Sequence, residues 1–145
     1  KISLENKLTE LCNANLFNVL KKINSNKLKA LPQDHSSATY CNKVLKQDSE
    51  ITFNDKSADI INKFKAYIEW PGLTFKYKNT LIKIHGLKIT DEDSSSKAGT
   101  INKITKSGLY INTVDKLIVI TNLQFPNKKI IKSEDVFNSY KQFFS

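Results

Sequence analysis

Four side chains carry the chemistry most often used at reactive centres: Cys12, Cys41, His35 and His85. A structural zinc site needs ligands in close pairs, such as two cysteines separated by two residues. Here His35 and Cys41 are six apart, Cys12 lies far upstream and His85 far downstream, so no pair has that spacing. Cys12 beside Leu11 reads as a small core residue, and His85 as a polar position on a strand. Cys41 and His35 could form a nucleophile and base, but no third orienting group and no oxyanion hole is marked. Asp91-Glu92-Asp93 lacks the glycine and ligand periodicity of a calcium loop and reads as a solvated loop. No glycine-rich phosphate cradle is present. Neither a catalytic constellation nor a metal site is expected within these residues.

The lysines remain. All 23 basic residues are lysine, against 14 acids, for a net charge of +9. Such a field favours polyanions, nucleic acid before acidic membrane. Without arginine, bidentate reading of base edges is not available, and the sugar–phosphate backbone is the target. Fifteen asparagines and many isoleucines accompany the lysines, a pattern that compositional drift also produces, so charge alone does not prove a partner. The candidate contacts are Lys43, Lys46, Lys76, Lys78, Lys83, Lys88, Lys103, Lys106, Lys128, Lys129 and Lys132. Strand alternation turns those that lie on strands outward while Phe75, Ile84 and Ile111 point inward.

Which elements position these lysines follows from apolar periodicity. Residues 3–24 read as a helix capped by Ser3, with Leu4, Leu8, Leu11, Leu16, Val19, Leu20 and Ile23 on one stripe and Lys21 and Lys22 at its C-terminal end. Residues 27–52 are polar and irregular, with short extended pieces at Thr39-Tyr40 and 51–53. A second helix from Ser57 carries Ile60, Ile61, Phe64 and Ile68 and stops at the corner Trp70-Pro71-Gly72, where the sole tryptophan is expected to anchor the core. Runs 73–77 and 81–89 form a hairpin around Lys78-Asn79, and the apolar phase flips at Gly86, as a bulge requires. Residues 90–98 read as an acidic, serine-rich loop. Strands follow at 101–104, 109–112 and 117–125, with Ser107-Gly108 as a tight turn and 117–120 the most buried. A last helix from Ser133 carries Val136, Phe137, Tyr140, Phe143 and Phe144. Short bent strands predict an α+β fold, a small OB-like β-barrel with flanking helices. No stretch has the length of a membrane span, no signal peptide opens the chain, and two cysteines make no disulfide framework, so a cytoplasmic protein is expected.

The run Leu31-Pro32-Gln33-Asp34-His35-Ser36-Ser37-Ala38-Thr39-Tyr40 resembles the linker of methionyl-tRNA formyltransferases, which reads Pro-Gln-Asp-x-x-x-Ala-Thr-Tyr. Lys43-Val44-Leu45-Lys46-Gln47-Asp48 is similar to the family's Lys-x-Ser-Lys-Glu segment, with Leu45 in place of Ser and Gln47 in place of Glu. Ile51-Thr52-Phe53, the 66–72 corner, Gly99-Thr100-Ile101, Ser107-Gly108-Leu109, Leu123-Gln124-Phe125-Pro126 and Lys128-Lys129 keep the family's order. The resemblance implies formyl transfer from 10-formyltetrahydrofolate to methionyl initiator tRNA. It also implies that residues 1–31 end a Rossmann-like catalytic domain, 32–52 are a linker and 53–145 a tRNA-binding barrel. The family's catalytic residues lie upstream of the region matched, so no catalytic or folate-binding residue is carried over, and the chain is expected to be an inactive piece of a monomeric enzyme. Two other readings stay open: the C-terminal domain of a sugar-nucleotide formyltransferase, and a stand-alone RNA-binding or interaction module.

Overall fold

The computed structural model describes all 145 residues, Lys1–Ser145, in two compact units, residues 1–43 and 44–145. In the first unit, helix α1 runs Ile2–Asn24, with Lys21 and Lys22 in its last turn where their charge suits the helix dipole. Lys1, not Ser3, occupies the N-cap, and Ser3 lies inside the first turn. None of its residues is buried, so Cys12 is exposed instead of taking a core place. Thr39 and Tyr40 form no strand. The Asp34 carboxylate accepts from Ser36 N and Oγ at 3.0 and 2.6 Å and from Ser37 Oγ at 2.6 Å. Those bonds close a single 3-10 turn, His35–Ser37, and lower the Asp34 pKa.

The second unit begins with a 3-10 turn, Lys46–Ser49, and contains β1 (Glu50–Ile51), α2 (Ser57–Tyr67), β2 (Leu73–Tyr77), β3 (Thr80–Asp93), β4 (Ile101–Thr105), β5 (Gly108–Asn112), β6 (Lys116–Gln124), β7 (Ile131–Lys132) and α3 (Ser133–Tyr140). All seven strands belong to one sheet of order β1-β2-β3-β6-β5-β4, with β7 added to β6. No ladder joins β1 to β4; both edges instead flank one cleft of about 210 Å³ lined by Ile51, Phe53, Phe75, Lys76, Gly99 and Ile101. The sheet therefore curls around its apolar face.

Register explains the burial. Ile51, Phe75 and Ile82 face one another across β1, β2 and β3, and Leu73, Ile84, Leu123 and Ile131 make the next inward row across β2, β3, β6 and β7. Phe75, Ile82, Ile84 and Leu123 are all buried, and each such side chain contributes about 1.5–3 kcal/mol. Gly86 sits where the β3–β6 register slips, between the inward pair Ile82/Ile84 and the inward Leu87. A side chain there would collide with Thr121 and Asn122, so the bulge needs glycine. Residues 117–120 of β6 are buried on both faces, as their unbroken apolar run predicts.

Several local expectations fail for identifiable reasons. Asp91, Glu92 and Asp93 are not loop residues, because β3 continues to Asp93, which pairs with Lys116. The β4–β5 turn is Lys106-Ser107, and Gly108 already belongs to β5. Helix α2 ends at Tyr67, so Ile68 falls outside it and is exposed. Phe143 and Phe144 lie beyond α3, where they pack with Tyr77 and with Phe125, on which Tyr140 stacks. Trp70 is the clearest miss. It is 55% exposed, because the inward positions of the corner are taken by Tyr67 and Leu73. The chain reverses there through a bond from Gly72 N to Tyr67 O at 2.9 Å.

Two polar groups hold the frame. Helix α2 has no cap from its own N-cap residue; Asp115, 58 positions on, accepts from Ser57 N at 2.8 Å and Ser57 Oγ at 3.2 Å. The fully buried Asn112 fastens the 94–100 loop, donating to Thr100 O and Oγ1 and accepting from Ser95 N.

Candidate nucleic-acid interface

The outward face of the sheet is built from two registered rows. The first crosses β1, β2, β3 and β6 as Glu50, Thr74, Lys83 and Gln124. One step along, Lys76 stands opposite Leu81 on the same face. A groove of about 290 Å³ runs between Thr74, Leu81, Lys83, Gln124, Pro126 and Asn127. A second groove of about 390 Å³, lined by Lys46, Gln47, Ser49 and Glu50, shares Thr74 and Leu81 with the first. The two make one continuous track. Its floor is fixed by the contact of Ser49 Oγ with Thr74 Oγ1 at 3.2 Å.

Lys83 owes its position to a glycine. Gly72 has φ +87°, and a Cβ there would stand 2.5 Å from Lys83 Cε and 3.1 Å from Nζ. The lysine stem lies across the bare glycine, which snorkels its ammonium toward the Trp70-Pro71-Gly72 corner. His85, two residues further along β3, meets Gln124 Oε1 through Nε2 at 3.0 Å, so it is a polar strand position.

The second outward row crosses β3, β6, β5 and β4 as Lys88, Val119, Tyr110 and Lys103. Lys103 is not free. Its Nζ donates to both oxygens of Glu92, at 2.8 and 2.7 Å, and lies 4.7 Å from the centre of the Tyr110 ring. Lys78, at the tip of the β2–β3 hairpin, donates to Phe143 O at 2.9 Å and Ser145 O at 2.8 Å, tying down the C-terminus. Lys128 Nζ donates to Tyr140 Oη at 3.1 Å.

Of the eleven candidate lysines, then, Lys46 and Lys83 line the track, while Lys76 pairs across the strands with its lining residue Leu81 and itself lines the sheet-edge cleft. Lys128 and Lys129 follow the track's last lining residue, Asn127. Lys106 and Lys132 come together elsewhere, where Ser133 Oγ donates to Lys106 O at 2.9 Å. Lys88 is separate, and Lys43 belongs to the first unit. No single face gathers them all. Sequence reasoning missed Thr74, Leu81 and Gln124 as groove residues, and Asp115 as a cap. Nothing local marks them, since each acts through a partner distant in sequence. No set of three or more histidine, cysteine, aspartate or glutamate side chains is placed to hold a metal ion, and no helix is long and apolar enough to cross a membrane.

The sequence profile described as formyl transferase, C-terminal domain, matches residues 43–141. The chain belongs to that family. It is 37% identical over 106 residues to the methionyl-tRNA formyltransferase of Finegoldia magna, covering 73% of this chain and 34% of the relative. To the methionyl-tRNA formyltransferase of a Sulfurihydrogenibium species it is 33% identical over 141 residues, covering 97% of this chain and 45% of the relative. The chain thus spans less than half the length of these curated relatives. Among solved structures, a variant of HypX from Aquifex aeolicus superposes with a TM-score of 0.61 at 17% identity, over 88% of this chain and 23% of HypX. HypX in complex with tetrahydrofolic acid gives a TM-score of 0.59 at 17% identity, over 86% and 22%. These likenesses show a shared mixed α/β fold. The resemblance carried by the 31–53, 66–72 and 99–129 motifs is therefore that of a formyl transferase C-terminal region.

Proposed function

We propose that this chain is the tRNA-binding C-terminal part of a cytoplasmic methionyl-tRNA formyltransferase, with its curled sheet serving as an OB-like barrel. The observation that carries the reading is the open track lined by Lys46 and Lys83, with Lys76 beside it opposite Leu81, in a domain whose relatives are named for a tRNA substrate. Lysines without arginine suit phosphate contacts, and a folded RNA is bound largely through shape and backbone. The family resemblance carries no catalytic or folate-binding residue onto this chain, so we assign the 10-formyltetrahydrofolate donor and the transfer to methionyl initiator tRNA to parts of the enzyme other than residues 1–145. The donor's chemistry is to supply the one-carbon unit; these residues hold the acceptor.

A salt titration of tRNA binding tests the mechanism. If about five lysines neutralise phosphates, log K falls against log salt with a slope of roughly −4. Binding without a slope removes the electrostatic reading.

A further inference from the structure

Trp70 leaves more than half of its surface in water, on a fold that buries sixteen other apolar side chains in one core cluster. Tryptophan is among the most buried residues on average, and a lone exposed apolar residue by itself means little. What distinguishes this one is its neighbour. The Lys83 ammonium lies 3.1 Å from the point where a side chain of residue 72 would begin. Two peptide units separate residues 70 and 72, so the ammonium is no more than about 12 Å from the Trp70 Cα. Lys83 makes no hydrogen bond or ion pair within the fold, unlike Lys78 and Lys103. Its head opens on the groove lined by Thr74, Leu81 and Gln124. An exposed indole and an unspent cation thus belong to the same corner, beside a polar track that the lysine lines.

We propose that Trp70 and Lys83 form a subsite for an unpaired nucleotide, its base stacked on the indole and its phosphate on the ammonium. Every base has a π-face, so such a site is tolerant of sequence and selective for single-stranded RNA over paired RNA. Gly72 is part of the subsite, because any side chain there would displace Lys83. The inference rests on the RNA-binding reading above but is separable from it.

Trp70 is the only tryptophan of the chain, so its emission reports on this subsite alone. The 145-residue chain is titrated with a single-stranded RNA octamer, with a blunt duplex of the same sequence and with tRNA, while labelled-RNA anisotropy reports binding independently. The octamer and tRNA are expected to quench the emission by half or more, and the duplex to bind without quenching. Trp70→Ala should weaken octamer binding about five- to a hundredfold while duplex binding holds, and Trp70→Phe should keep most of the affinity. Lys83→Gln should reduce the salt slope for the octamer by about 0.7. Anisotropy that rises with octamer and tRNA while the tryptophan emission stays unchanged would overturn the subsite and leave the backbone reading intact. Failure of every RNA to bind would overturn both. Circular dichroism of Trp70→Ala, at a surface position, checks that the fold persists.

Discussion

Lys83 and Lys103 occupy equivalent places, each outward on a strand of the same sheet, each in a registered row of four residues. Lys103 has spent its charge on Glu92 and on the face of the Tyr110 ring. Lys83 lies over a glycine and opens on a groove whose nearest carboxylate in its row, Glu50, is two strands away. The same split separates Lys78, bound to two C-terminal carbonyls, from Lys76 on the strand before it. A net charge therefore divides into charges that the fold consumes and charges that it offers. Only the second kind can hold a polyanion, and only the structure separates the two.

The largest effect should come from removing the offered set. Lys46, Lys76 and Lys83 replaced together by Gln should weaken tRNA binding about a hundredfold near physiological salt. The slope of log K against log salt should become shallower by about 2.5, since three phosphate contacts are lost. Anisotropy titrations at several salt concentrations measure both. Lys78, Lys103 and Lys128 replaced together remove the same charge from the consumed set. An equal loss from that second triple would break the comparison, because charge number and not placement would then govern binding.

Asp115 is the consumed set's acidic counterpart. Besides Ser57 N and Oγ it accepts from Thr113 Oγ1 at 2.9 Å and Lys116 N at 2.9 Å. These bonds, led by the Ser57 backbone N–H, lower its pKa from the ordinary 3.8 to about 2. Asp115→Asn should cost about 2 kcal/mol at neutral pH, the value of charge-assisted bonds partly retained by the amide, read from urea unfolding. The carboxyl is depressed in the folded state, so its stabilisation is complete above pH 3.8 and is lost as pH falls toward 2. The gap between wild type and Asp115→Asn should therefore narrow across that window. Tertiary capping of α2 predicts this; a gap unchanged down to pH 2 contradicts it.

Much of the scaffold for this split is written locally. The phase flip from Ile82 and Ile84 to Leu87 and Ile89 locates the Gly86 bulge without any knowledge of β6, because strand period is a property of the strand itself, although Ile89 itself is exposed. The Lys78-Asn79 hairpin turn is likewise local, both residues adopting positive φ (43° and 64°). The α2 cap is invisible, since Ser57 and Asp115 meet only after the sheet has formed. Trp70 misleads because a tryptophan at a helix-to-strand corner usually packs inward, whereas here α2 stops three residues earlier and Tyr67 has already filled the place. The candidate lysines are legible one by one, yet their partners are not. Whether Lys83 is free depends on the strands beside β3, and Lys103 on the extension of that same strand to Glu92.

Within the consumed set a gradation should appear. Lys78→Gln leaves the hairpin but removes the ammonium from Phe143 O and Ser145 O and from above the Tyr77 and Phe143 rings, 5.4 and 5.9 Å from their centres. The expected cost is about 1 kcal/mol, with faster hydrogen exchange confined to the residues after α3.

The smallest effect belongs to Lys103. Its pair with Glu92 joins two side chains that are 41% and 53% exposed, where water screens the attraction and both long chains lose rotamer freedom. Lys103→Gln should shift stability by less than about 0.5 kcal/mol. It should also leave tRNA affinity within twofold of wild type, because the charge removed was already balanced by Glu92. The reverse change sharpens the point. Glu92→Gln leaves the lysine in place and frees it, so it converts a consumed charge into an offered one on the β4 side of the sheet. A rise in tRNA affinity for Glu92→Gln, with none for Lys103→Gln, would place β4 within reach of the RNA. No change in either variant confines the contact to the face carrying Lys46, Lys76 and Lys83.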